Sequence, residues 1–314
     1  MSTDRDNSAV LAHLPTSLRD DRALTSLIGA VDGTIAVPEA ARAIAVSALT
    51  QLSGRRPVVV ACPTGTMAGQ LFDDLRAFMP RDSVVLFPAW ETLPFERVSP
   101  SVETMGRRLE VLWRLRAGSS DESRLPHIVV ASMRALLQQI GPGTADVSPV
   151  IVRKGTRVDP DELLRTLVNG GYRREELVEH RGEVARRGAI VDVFPSTSDV
   201  PIRIDLWGDE VDRLTSFSVH DQRSDDDLDE AVIFPARELV LDDDVRARAA
   251  TLVASEPWGR ENWEKLSEGN LFDGMESWLP WLTETPTLLS DVLPSGSKMI
   301  LVEPPRMRDR AQDL

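Results

Sequence analysis

Residues 171–219 read GYRREELVEHRGEVARRGAIVDVFPSTSDVPIRIDLWGDEVDRLTSFSV, and their periodicity decides how the middle of the chain folds. Ala189 to Phe194 is an apolar run broken by Asp192, and Ile202, Ile204 and Leu206 alternate with Arg203, Asp205 and Trp207. Gly208-Asp209 punctuates the pattern before Val211, Leu214 and Phe217 resume it. Residues 201–219 are therefore predicted to form a hairpin, with 186–195 as a third antiparallel strand beside it. Five arginines precede or open this sheet: Arg173, Arg174, Arg181, Arg186 and Arg187. A guanidinium offers a planar fork of donors matched to carboxylates, so the cluster marks a candidate docking face. The interleaved Glu175, Glu176, Glu179 and Glu183 support the plainer alternative of a solvated, ion-paired surface.

Upstream the pattern changes. Thr34–Val37, Val58–Cys62, Val84–Phe87 and Ile128–Ala131 are short continuous apolar runs, separated by helical stretches at Glu39–Leu52, Met67–Phe78, Glu103–Arg116 and Met133–Ile140. Such runs alternating with helices indicate a parallel sheet covered on both faces. Val147–Lys154 offers a further strand, and Asp159 before Pro160 opens a helix to Asn169. Downstream, the acidic run Asp221–Glu230 reads as a solvated loop and Glu238–Leu241 as a strand returning to the first sheet. A helix at about Asp244–Ala254 follows, then Trp258, Trp263, Trp278 and Trp281 as core, and Lys298–Val302 as a last buried strand. The expected class is α/β: a parallel sheet with flanking helices, plus an inserted small α+β domain on an antiparallel sheet. The expected boundaries are 1–145 for the first part of the α/β domain, 146–238 for the insert and 239–314 for the second part.

An α/β sheet of this kind binds nucleotides on a glycine-rich loop leading into a helix, with a lysine reaching the outer phosphates. Pro38–Ala43 (PEAARA) has neither glycine nor lysine, and Glu39 repels phosphate. The stretch CPTGTMAGQ from Cys62 has two glycines but no lysine, and a strand-to-helix turn with Thr66 near an N-cap explains it. No nucleotide cofactor is expected for this chain.

The 314 residues carry a net charge of −14, which argues against broad contact with a phosphate backbone. Only Lys154, Lys265 and Lys298 are lysines, so almost every positive charge is an arginine. Tyr172 is the single tyrosine, which excludes a tyrosine-rich surface for stacking bases. Cys62, alone at the end of an apolar run, reads as a buried structural thiol, and the four histidines lack metal-ligand spacing, so no metal site is expected. The first twenty residues lack the basic and apolar regions of a signal peptide, and no apolar run is long enough to span a membrane, so the expectation is a soluble cytoplasmic protein without membrane partners.

Three stretches carry a resemblance: FPAWETLPFERVSPSVETMGRRLEVLWRL from Phe87, IVVASMRALLQ from Ile128, and GYRR…RGEVARRGAIVDVFP…PIRIDLWGDEVD from Gly171. Together they resemble the amino-terminal part of the bacterial transcription-repair coupling factors (Mfd), itself similar to the excision-repair protein UvrB. The resemblance runs from about residue 20 to the end of the chain. It implies a UvrB-like, degenerate helicase fold in which PEAARA stands where UvrB has a true phosphate loop. It also implies that the inserted domain docks onto UvrA, the damage-sensing ATPase. Carried over residue by residue, the contact arginines fall on Arg173 and Arg187, with Val191 as apolar neighbour and Arg174 and Arg186 beside them. One further UvrB arginine falls on Ala185, leaving open whether Arg186 replaces it. RNA polymerase, DNA and an ATP-driven motor would belong to a carboxy-terminal part that this chain lacks. The implied function is recruitment, handing a stalled polymerase to nucleotide excision repair. The alternative is a nucleotide-dependent helicase-type enzyme domain, which the missing lysine disfavours.

Overall fold

The computed structural model describes residues 11–93, 96–283 and 285–313, so Pro94 and Phe95 of the WETLPFE stretch lie outside the described residues. The strands, in chain order, are β1 (Val58–Cys62), β2 (Val84–Phe87), β3 (Ile128–Ser132), β4 (Val150–Arg153), β5 (Arg173–Arg174), β6 (Glu183–Arg187), β7 (Ile190–Val193), β8 (Ile202–Trp207), β9 (Glu210–Phe217), β10 (Ser224–Asp227), β11 (Glu230–Ile233) and β12 (Lys298–Leu301). Two compact units result. The first takes the residues up to Ala89, Arg114–Gln138 and those from Leu288 onward; the second takes Trp90–Trp113 and Gln139–Thr287. Residues 239–287, expected with the parallel sheet, thus group with the antiparallel one.

The first unit holds a four-stranded sheet in the order β12-β1-β3-β2. Every pairing in it is parallel. All residues of β1 and β3 are buried, as strands covered on both faces must be. On one face Val58, Val60, Ile128 and Val130 pack against Leu71, Leu75 and Met79. Helix Gly65–Leu75 is capped by Thr64, which accepts from the Met67 N–H at 3.3 Å; the cap is Thr64, not Thr66, because Thr66 already lies inside the helix. Burial pushes the Cys62 thiol up to about 11, which makes it inert as a nucleophile at neutral pH. Two expectations fail here. Among the described residues none pairs with Thr34–Val37, which is not a strand; Ile35 and Val37 instead pack on helix Arg42–Ser53 through Ala45 and Ala48. Likewise β12 is an edge strand, not a buried one, and Met299 and Leu301 are exposed on it.

The second unit is built on a six-stranded sheet, β10-β9-β8-β7-β6-β5, with β4 and β11 as a separate antiparallel pair. Its strands pair antiparallel except for the short β5, which runs parallel to β6. The predicted hairpin is β8–β9, turning at Gly208-Asp209 with Gly208 at φ +66°. The predicted strand 186–195 is instead the end of a second hairpin, because Gly188 at φ +63° turns the chain between β6 and β7. The acidic run is not a plain loop either: β10 pairs with β9. Helix Pro160–Asn169, capped by Asp159 on the N–H groups of Asp161 and Glu162, lays Leu163, Leu164 and Leu167 on one face of the sheet. The lone tyrosine ties this layer together: Tyr172 donates to the Phe234 carbonyl at 2.6 Å and accepts from Ser196 N–H at 3.0 Å.

Helix Val102–Ala117 begins in this unit and buries Arg108 completely. Arg108 donates from Nε to Glu238 Oε2 at 2.7 Å and from Nη2 to Oε1 at 3.1 Å, while Trp90 Nε1 donates to Oε2 at 2.7 Å. Among the described residues no strand pairs with Glu238–Leu241, and Glu238 instead turns inward to the buried Arg108. Of the four tryptophans, Trp263 is core, whereas Trp258 is more than half exposed and stacks on Trp278 at 5.3 Å.

Candidate docking surface on the six-stranded sheet

Strand alternation divides the sheet into two faces. Val184, Val191, Val193, Ile202, Ile204, Leu206, Val211 and Leu214 turn toward helix Pro160–Asn169 and form the core. The opposite face carries the residues between them. Arg173 lies opposite Glu183, Ala185 opposite Asp192, Arg187 opposite Ile190, and Asp192 opposite Arg203. Asp205 lies opposite both Ile190 and Arg213, so a band of alternating charge crosses strands β5 to β9.

Two buried carboxylates organise this band. Asp192 accepts from Arg203 Nε at 2.7 Å and Nη2 at 2.9 Å, and from Arg187 Nη2 at 2.8 Å. Arg203 is itself sunk, with 12% of its side chain exposed and its guanidinium 4.7 Å from the Phe217 ring centroid; Arg187 keeps 45% exposed. One arginine thus compensates the buried charge and the other reaches solvent from it. Glu183 anchors the second arginine. It accepts the N–H groups of Glu179 and His180, each at 2.8 Å, and Arg173 Nη2 at 3.3 Å, with Arg173 68% exposed. Burial acts to raise the Glu183 carboxyl, but the two N–H donors, His180 and Arg173 outweigh it, and the group titrates below its ordinary range. Asp205 goes the other way: burial and the nearby Asp192 raise it against the opposing pull of Arg203.

Of the residues singled out in the sequence, the structure brings Arg173 and Arg187 to one face. The other three lie elsewhere. Val191 is fully buried on the core face, so no partner can touch its side chain; the apolar neighbour of Arg187 is Ile190. Arg186 points to the core side, where it pairs with Asp161 at the start of helix Pro160–Asn169 and donates to the Gly188 carbonyl at 3.2 Å. Arg174 sits opposite Val184 on the same side, exposed at the sheet edge. Ala185 does lie on the outer face, buried with Val178 and Phe217, whereas Arg186 lies on the opposite side of the strand. The sequence did not single out Arg203, Ile190 or Trp207; the alternation of 202–207 placed Arg203 and Trp207 on the outer side, and the register puts Ile190 opposite Arg187, Arg203 opposite Asp192 and Trp207 near the β6–β7 turn.

Among the described residues, no group of His, Cys, Asp or Glu side chains is placed to hold a metal ion, and no helix is long and apolar enough to cross a membrane.

Residues 150–239 match the family described as the UvrB interaction domain. Over 295 residues the chain is 40% identical to the transcription-repair-coupling factor of Mycobacterium tuberculosis, covering 90% of this chain and 23% of that protein. It is 30% identical over 293 residues to that of Bacillus subtilis, covering 87% of this chain and 24% of the relative. It is also 31% identical over 231 residues to the UvrABC system protein B of Fervidobacterium nodosum, covering 71% of this chain and 35% of the relative. The chain thus spans about a quarter of the length of the coupling factors it matches. Over most of its length the chain is similar to bacterial transcription-repair-coupling factors and to UvrABC system protein B, and its residues 150–239 match the UvrB interaction domain.

Proposed function

We propose that this chain is a recruitment module that presents the outer face of the six-stranded sheet to UvrA and so couples a stalled RNA polymerase to nucleotide excision repair. The observation that carries the reading is the pair Arg173 and Arg187 on one face inside the UvrB interaction domain, each anchored on a buried carboxylate but open to solvent. Such anchoring limits the rotamers of a guanidinium before a partner arrives, which reduces the entropy lost on docking. Contact with RNA polymerase and DNA, and ATP-driven movement, belong in this reading to parts of a coupling factor that the chain does not align with.

The chain itself needs no nucleotide in this scheme. Pro38 leads through a short turn, Glu39–Ala41, into helix Arg42–Ser53, and the Arg42 guanidinium at the start of that helix is paired with Glu303. A phosphate there would meet Glu39 and Glu303 instead of converging N–H groups and a lysine. The deciding experiment is equilibrium binding of the 314-residue chain to purified UvrA. Saturable one-to-one binding is expected, and its absence at micromolar concentrations would refute the assignment.

A further inference from the structure

We infer that Trp207 is the apolar anchor of the docking face, and that the partner surface carries a hydrophobic pocket bordered by carboxylates. The inference rests on the docking assignment above and specifies the chemistry that the partner must bring. Trp207 ends β8 with 82% of its surface exposed, the most exposed aromatic side chain among the described residues. It is two residues beyond Asp205, so it shares the outer face with Arg203 and Asp205, while Leu206 between them turns into the core. The register places it beside the β6–β7 turn, because the Leu206 N–H donates to the Ala189 carbonyl at 3.0 Å. Arg187 and Ile190 flank that same turn and pair with each other across it. One end of the outer face therefore holds an arginine, a half-buried isoleucine and an exposed tryptophan.

Nothing in the fold requires a tryptophan at this position. A strand-end residue opposite Glu210 on a solvated face is served by any polar side chain, whereas exposing an indole to water is unfavourable. Its neighbours on both sides are accounted for: Leu206 fills the core and Gly208 supplies the turn. Binding surfaces concentrate their energy in tryptophan and arginine at the centre, with contacts of little consequence around them. An indole at this place buries on the order of 150–250 Å² when a pocket closes over it, and Ile190 extends the same apolar strip. The charge around it names the rest of the partner: two outward arginines, Arg173 and Arg187, call for carboxylates.

The test compares UvrA affinity for the unaltered chain, Trp207→Ala, Trp207→Phe and Arg187→Ala, with melting temperature and sedimentation measured on each. Trp207→Ala should weaken binding by about thirtyfold with an unchanged melt, and Trp207→Phe should recover most of the loss. If Trp207→Ala binds as tightly as the unaltered chain while Arg187→Ala does not, the anchor is refuted and the docking face stands. If the unaltered chain itself fails to bind UvrA, both fall. If the chain sediments as a dimer that Trp207→Ala dissolves, the indole belongs to contact between two copies and the inference is overturned.

Discussion

Removing the Arg187 side chain separates docking from stability, because the structure gives Asp192 two arginines of unequal standing. Arg203 holds both oxygens of this buried carboxylate, at 2.7 and 2.9 Å, whereas Arg187 adds one bond at 2.8 Å from a side chain that is 45% exposed. With Arg187→Ala the bidentate pair survives, and a half-solvated ion pair contributes about 0.2–1 kcal/mol. The free chain should lose no more than that. With Arg203→Ala the buried carboxylate keeps only one bond from a hydrated arginine, and Phe217 loses its guanidinium. Stranding a buried charge costs roughly 3–5 kcal/mol, which the remaining Arg187 bond reduces to about 2–4 kcal/mol. Against UvrA the order reverses. A close interfacial charge pair is worth on the order of 1.5–7 kcal/mol, so Arg187→Ala should lower affinity at least tenfold. Alanine is the sharper probe than glutamate, since a glutamate would also repel Asp192 and confuse the two effects. Urea denaturation and biolayer interferometry on the same two variants decide the matter. An Arg187→Ala chain that unfolds several kcal/mol more easily, or that binds UvrA as the unaltered chain does, would refute the division of labour.

Three further outcomes follow from particular contacts. Glu238→Gln keeps the shape of the side chain but strands the fully buried Arg108, and should cost roughly 3–5 kcal/mol by denaturation; a loss under about 1 kcal/mol would mean the pair is dispensable. Glu183 titrates below its usual 4.5 in the folded chain, so the stability it contributes is complete above that pH and is lost as pH falls through the depressed folded value; the difference in melting temperature between the unaltered chain and Glu183→Gln should therefore shrink below about pH 4.5, and a gap constant down to pH 3 would contradict this. A fluorescent ATP analogue should show no saturable site on the 314-residue chain; stoichiometric binding at micromolar concentration would overturn the reading of Pro38–Ala43.

Much of the architecture was legible because the signals are local. The continuous runs at β1, β2 and β3, the alternation of β8 and β9 about Gly208-Asp209, and Asp159 before Pro160 each depend on residues within a few positions of one another. The same holds for Arg173 and Arg187 as a residue type in a suitable strand. What failed was set by partners far along the chain. Thr34–Val37 has strand composition, yet a strand needs a neighbour to take its hydrogen bonds, and none of the described residues pairs with it. Read as one strand from 186 to 195, Arg187 and Val191 would share a face, being four residues apart. The turn at Gly188 reverses the chain between them, pairs Arg187 with Ile190 and sends Val191 into the core. The joining of Arg108 to Glu238, and of Asp192 to Arg203, spans loops whose closure no local pattern encodes. Composition and periodicity thus determined that there is a sheet with arginines on it; the register, a tertiary property, decided which of them stand on the outer face.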